Sequence, residues 1–377
     1  MKPYFKYFII CCSLQQGKPL SYDLAYELGQ ASVEAVVGQN MKAIIDTTAM
    51  LTGLYHRATL AHPDTPEMIA GLCAAVFEHD IGKSQHGFLE VPGVQLAMEN
   101  CGMGGDTIVT PNVSCLSALC AASAGITMIK HGSRSHSDAG QNGSTDFLER
   151  CGIPMNLEPK QMCALIKTHK IGYIDAVDTR YKRIHQATME LSDICHLNHL
   201  LGPITSPVHP TILRRRVIGI NQMIDPLTVA KAYRILNEKG ITHMERIFLV
   251  RGRGETDADS MDEVSIASKG TMCVELDTGD ISPRNLIAAD FGVPEASFHD
   301  LAIPKHMSKG NFSMAILQGE IKTGPAVDLV CANAALLFYL AGSATNLRDC
   351  ASLAREQLTK GKAFELVQSI RRTVSDL

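Results

Sequence analysis

The chain has no Cys-x-x-Cys pair, no apolar run as long as a membrane span, no internal repeat and no excess of basic residues. Each absence removes a class. Twelve cysteines in 377 residues fall well short of a disulfide scaffold. Those in apolar helical contexts (Cys73, Cys120, Cys163, Cys331) read as reduced, buried small side chains, as expected of a cytoplasmic protein. Cys195, His196 and His199 hint at a metal but lack the fourth ligand of the usual zinc sets. The run Tyr7–Cys12 is too short for a membrane helix and has no clear cleavage site, so no membrane partner is expected. A net charge of −4 and an isoelectric point near 6.4 argue against general nucleic-acid binding. Arg214-Arg215-Arg216 is the local exception, and such a run reads as a solvated loop or a subunit contact.

What remains is enough apolar residue, 45%, for a sizeable core in a two-domain chain. Up to about residue 94 the pattern is helical. Leu20, Leu24, Ala25 and Leu28 recur at helical spacing behind a Ser21 cap, and a second helix spans Ala35 to Tyr55. Thr65 is expected to cap a third helix, Met68 to Phe77, with Pro66 at its first position. From about 97 the pattern alternates as βαβ units do, with buried strands expected at 126–129, 217–221 and 247–250. Between the last two, a helix from Pro226 is capped by Asp225 and ended by Gly240. The expected architecture is α/β plus a helical bundle: a small helical domain, 1–94, joined by about 158–190, and an α/β domain, 95–377.

The chemistry is concentrated in residues 101–134. Cys-Gly-Met-Gly-Gly-Asp at 101–106 leads to Asn-Val-Ser-Cys at 112–115, an Ala-rich helix, and then Lys-His-Gly-Ser-Arg at 130–134. Glycines let backbone N–H groups close on anionic oxygens, a helix N-terminus adds partial positive charge, and a lysine adds a whole one. The layout suits a phosphate-rich ligand. Read singly, Asn112 could also be a helix cap and His131 a turn residue.

These motifs resemble the anthranilate phosphoribosyltransferase family, whose pattern is Gly-Thr-Gly-Gly-Asp, Asn-x-Ser-Thr and Lys-His-Gly-Asn-Arg; Met103, Cys115 and Ser133 depart from it. Met261-Asp262-Glu263 is similar to the family's Leu-Asp-Glu, Gly143–Asp146 to its Gly-Ser-Ala-Asp, and Leu201–Ile204 with Pro207 to its Leu-Gly-Pro-Leu and the proline beyond. The resemblance implies a nucleoside phosphorylase/phosphoribosyltransferase-like fold, a homodimer, Mg²⁺, and phosphoribosyl pyrophosphate as donor to an aromatic amine, by default anthranilate in tryptophan biosynthesis. It also implies site residues. Gly102, Gly104, Gly105 and Asp106 would wrap the ribose diphosphate. Asn112, Ser114 and Cys115 would bind diphosphate oxygens. Lys130, His131, Gly132, Ser133 and Ser135 would meet the phosphates. Ser114, Asp262 and Glu263 would hold the metal; read alone, the last two could equally be a solvated acidic loop.

The acceptor side departs from the family. The arginine that usually meets the anthranilate carboxylate falls on or beside Thr188, and a neutral residue cannot replace a guanidinium there. Either Arg180 or Arg183 supplies that contact, or the acceptor is another nitrogen compound. A pyrimidine-nucleoside phosphorylase-like enzyme and a non-catalytic nucleic-acid-binding relative are the alternatives. The paired Asp262-Glu263 argues against the first and the acidic charge against the second.

Overall fold

The computed structural model describes residues 18–134, 143–189, 191 and 194–375. The Tyr7–Cys12 run and Ser135 lie outside them. Helices follow one another as α1 (Tyr22–Val37), α2 (Met41–Thr59), α3 (Thr65–Ala75), α4 (Val113–Ser123), α5 (Ser144–Arg150), α6 (Pro159–His169), α7 (Asn198–Ile204), α8 (Pro226–Glu238), α9 (Lys309–Leu317), α10 (Pro325–Leu340), α11 (Leu347–Thr359) and α12 (Lys362–Ser375). Strands are β1 (Ala97–Gly102), β2 (Met128–Gly132), β3 (Ile171–Asp175), β4 (Leu213–Gly219), β5 (Arg246–Arg253), β6 (Ser260–Met261), β7 (Thr271–Asp277) and β8 (Asp280–Leu286).

The chain forms two compact units. The helical unit takes the described residues through Leu89, with Ala176–Pro210 and Met223–His243. Its α1 and α3 approach closely because glycines face each other's backbone. A Cβ at Gly29 would lie 2.7 Å from that of Ala75, and one at Gly71 2.8 Å from that of Ala25. Helix α3 starts at Thr65, one residue earlier than the capping pattern suggests. The preceding Asp64 makes no cap bond; its carboxylate takes the Leu20 N–H and, at 2.8 Å, Arg57. Past Ala75 the helix widens into one π turn, Val76–Asp80. Ser21 and Asp225 cap α1 and α8 as expected, at 3.4 and 2.9 Å.

The second unit holds Glu90–Asp175, Thr211–Gln222 and Met244–Leu377 around one sheet in the order β3-β2-β1-β4-β5-β7-β8, with β6 beside β5. Strands β1 to β5 run parallel, and β6, β7 and β8 are added antiparallel. Helices α4 and α10 are buried almost throughout, as parallel sheets require of their covering layer.

Two expectations are corrected here. Residues 158–175 lie with the sheet, and the helical unit takes the chain back only from Ala176. The reason is local. Only Lys170, left-handed at φ 60°, separates α6 from β3. The helix therefore folds back on its own strand, where Met162 and Ile166 fill the space above Gly172. The triple arginine is not a loop. Arg214, Arg215 and Arg216 lie on central strand β4. Arg214 and Arg215 share Glu245 at 2.6 and 3.2 Å, and Arg216 is buried against Glu99 at 2.7 Å.

Candidate active site

The strand order reverses on either side of β1, with β2 and β3 to one side and β4 and β5 to the other. In open α/β sheets a ligand crevice forms at the carboxyl ends of the strands at such a reversal. Three glycines lie at the strand ends there: Gly102 closing β1, its register partner Gly219 closing β4, and Gly252 one residue before the end of β5. The room they leave is filled by Met261–Glu263. A Cβ on Gly102 would overlap the Asp262 carboxylate, and one on Gly219 its backbone carbonyl. A Cβ on Gly252 would lie 2.5 Å from Met261 Cγ and 2.6 Å from the Glu263 carbonyl. The acidic segment is thus seated across three strand ends.

The loop after β1 closes on that segment. Gly104 and Gly105, at φ +72° and +94°, make a turn that other residues rarely adopt. The Gly104 N–H donates to Asp262 Oδ2 at 2.5 Å, and the Asp262 N–H donates to Asp106 Oδ1 at 2.8 Å. The result is a cluster of three carboxylates, Asp106, Asp262 and Glu263, each with an oxygen within 4.8 Å of the others. Desolvation, then repulsion from Asp262, pushes the Glu263 carboxyl up to about 8. Desolvation, then Asp262 and Glu263, holds Asp106 well above the usual carboxylate range. Lys309, at the start of α9, and the Ser114 N–H only partly offset this at Glu263. Concentrated hard oxygens that resist ionising together fit a site for Mg²⁺, which takes few protein carboxylates and completes its shell with water and phosphate.

Asp106 was assigned from its motif to the glycine loop alone, and its place as a third carboxylate depends on a contact with Asp262, distant in sequence. Ser114 lies in the first turn of α4, and its carbonyl accepts from Asn100 at 2.8 Å. Asn112 stands at the N-cap of α4 but makes no cap bond with its side chain. It accepts from Ser313 at 3.0 Å and donates to the Gly143 carbonyl at 3.4 Å. Cys115 is fully buried, its thiol 3.9 Å from the Ser144 carbonyl.

Beneath the loop lies a buried ionic layer. Glu99 on β1 accepts from the His131 N–H at 2.9 Å and from the His131 ring, and pairs with Arg216. Burial would raise the Glu99 carboxyl, but Arg216, His131 and Lys130 outweigh it and hold the group at about 2. Glu99, Cys101 and His131 also lie close enough to ligate a metal. The Arg216 guanidinium, 2.7 Å from Glu99 and 3.5 Å from Cys101, already supplies the positive charge there. The His131 ring and main-chain N–H are thus both engaged with Glu99 inside the protein. Lys130 is 1% exposed and gives its ammonium to the main-chain carbonyl and Oδ1 of Asn100. Gly132 leaves room for Tyr173 and Ser144, 3.0 and 3.3 Å from where a Cβ would stand. The Ser133 carbonyl accepts from Thr145 at 3.4 Å, and Arg134 pairs with Asp146 and Glu149 at 2.6 and 2.8 Å.

The acceptor candidates belong to the helical unit. Arg180 pairs with Asp178 at 2.7 Å. Arg183 meets fully buried Asp80, whose carboxylate also takes the Arg183 and Ile184 N–H groups at 2.8 and 2.7 Å. Thr188 is buried, and its hydroxyl accepts from Asn198 at 2.9 Å. His196 and His199 stack at 4.0 Å, and no group of three metal-type ligands forms around them among the described residues.

Known proteins place this geometry in a class. Residues 94–364 match the model of the "Glycosyl transferase family, a/b domain". An anthranilate phosphoribosyltransferase of Chromobacterium violaceum is 32% identical over 72% of this chain and 75% of its own length. One from Bacillus subtilis is 28% identical over 84% and 87%. The crystal structure of the Thermus thermophilus enzyme superposes with a TM-score of 0.75 at 23% identity over both whole chains. The Saccharomyces cerevisiae enzyme in complex with PRPP and Mg does so at 0.73 and 19%, over 95% and 94%. The chain belongs to the anthranilate phosphoribosyltransferase family. No helix among the described residues is long and apolar enough to cross a membrane.

Proposed function

We propose that this protein transfers the 5-phosphoribosyl group of phosphoribosyl pyrophosphate to an aromatic amine, with anthranilate as acceptor as in its relatives, and releases pyrophosphate. The observation that carries this reading is the seating of Asp106, Asp262 and Glu263 beside the Gly102–Gly105 turn at the ends of β1 and β4. These carboxylates would hold Mg²⁺, which when bound neutralises charge on the departing diphosphate. The loop N–H groups, the N-terminus of α4 at Asn112 and Ser114, and Lys130 would bind phosphate oxygens. As the C1–O bond breaks, its electron pair leaves with the diphosphate, and the amine lone pair forms the new C1–N bond with loss of one proton. No covalent nucleophile is needed. Rate comes from placing the two reactants and from fixed charge at the leaving group.

A second acceptor reading has its own support. Arg180 and Arg183 are each drawn onto a neighbouring aspartate, and Thr188 is neutral and buried. An uncharged aromatic amine would suit such a segment better than a carboxylate. Pyrophosphate release with donor and Mg²⁺ separates the two. Turnover with anthranilate supports the first, turnover only with an uncharged amine supports the second, and none with any amine tested overturns the transferase reading. The proposal includes a homodimer through the helical unit. Met41 and Ile45, one turn apart on α2, expose 68% and 59% of their surface, and sedimentation would report the assembly.

A further inference from the structure

Asn100 follows Glu99 on β1 and, by strand alternation, faces the other side of the sheet. It is 6% exposed. Its Oδ1 accepts from Lys130 Nζ at 3.2 Å, its main-chain carbonyl accepts from the same ammonium, and its Nδ2 donates to the Ser114 carbonyl at 2.8 Å. Lys130 forms no ion pair among the described residues, so this one residue supplies the acceptors a buried ammonium requires. Ser114 itself lies in the first turn of α4, the helix whose N-terminus faces the donor site. A hydrogen-bonded path therefore runs from Lys130 through Asn100 to the first turn of α4.

We propose that Asn100 is a positioning residue of the donor site, tethering the Lys130 ammonium to the N-terminal turn of α4 so that lysine and helix end address one phosphate group. The inference rests on the donor reading above. It assigns Asn100 no contact with substrate, so its effect passes through Lys130.

The test is a double-mutant cycle with Asn100→Leu, which matches the side chain in size without its polar atoms, and Lys130→Met. Asn100→Leu lowers kcat/KM for phosphoribosyl pyrophosphate about tenfold or more, as loss of a hydrogen bond to a charged group does. Most of the change lies in the donor KM, and the amine KM stays at the wild-type value. In the Lys130→Met background the same substitution has almost no further effect. Additive losses, or a wild-type donor KM in Asn100→Leu, overturn the proposal. A second readout needs no turnover: acylation of Lys130 by acetic anhydride, followed by peptide mass spectrometry. Labelling rises severalfold in Asn100→Leu and stays low in Asn100→Asp, which keeps an oxygen against the ammonium. Equal labelling in Asn100→Leu and wild type overturns the tether. Labelling as expected from a wild-type protein that releases no pyrophosphate supports the tether and overturns the donor reading.

Discussion

The donor region and the acceptor segment each bring arginines and carboxylates together, but the charges balance differently. In the acceptor segment each arginine meets a carboxylate, Arg180 at Asp178 and Arg183 at Asp80, and the buried Lys182 between them gives its ammonium to the Gly202 and Thr205 carbonyls. In the donor region Arg216 and His131 satisfy Glu99, and three further carboxylates still converge above that layer. Such a surplus of one sign, held in place by backbone N–H groups and glycine-made space and only partly offset by Lys309 and Lys130, fits a cation from outside. On the proposed reading the contrast marks the metal end of the site, and it is the reason the acceptor is the less determined half.

The largest effect that would test the contrast lies in the buried layer. Glu99→Gln leaves Arg216 buried beside a neutral partner and should cost about 3–5 kcal/mol in urea denaturation at pH 7. The wild type carries its own version of this test. With the folded carboxyl at about 2 and the ordinary value at 4.5, the Glu99 contribution is full above pH 4.5 and is lost as pH falls toward 2. That loss is on the order of 3 kcal/mol, and Glu99→Gln should not show it. Next comes the seat itself. Gly219→Ala puts a methyl into the Asp262 carbonyl and should lower Mg²⁺-dependent turnover at least about a hundredfold, near 2.7 kcal/mol of barrier.

On the acceptor side the expected effects are smaller. Thr188→Arg inserts a long charged chain at a buried position and should destabilise the protein by about 1–3 kcal/mol without improving anthranilate use. A folded variant with a lower anthranilate KM would show that the segment can open. Arg180→Ala should change stability by less than about 1 kcal/mol, as expected of a partly exposed pair. A raised anthranilate KM with an unchanged donor KM would assign the carboxylate to Arg180 and break the contrast.

The parts of the site readable from the chain are those carried by short motifs. Gly102–Asp106, Asn112, Ser114, Lys130 and Asp262-Glu263 could be named because their residue types and spacing survive as strings. What joins them could not be read. That Gly219 and Gly252 exist to seat Asp262 depends on strand register between segments far apart in the chain, which no local pattern encodes. For the same reason Asp106 gave no sign of facing Glu263, and Asn100 none of holding Lys130. Arg214–Arg216 misled because three adjacent charges usually mean solvent; here Glu99 and Glu245, both distant in sequence, make a central strand tolerable for them. The segment at about 158–190 is assigned to the helical domain only by the family resemblance, and the spacing within 159–169 identifies a helix without naming its partner.

The central claim is that three carboxylates, not two, hold the donor's cation. Its most direct test is the Mg²⁺ dependence of pyrophosphate release in Asp106→Asn, which keeps the side chain's size and an oxygen for the Asp262 N–H. The account predicts that half-saturating Mg²⁺ rises about tenfold, near 1.4 kcal/mol, with turnover largely restored at high Mg²⁺. An unchanged Mg²⁺ dependence would place Asp106 outside the metal site and contradict it.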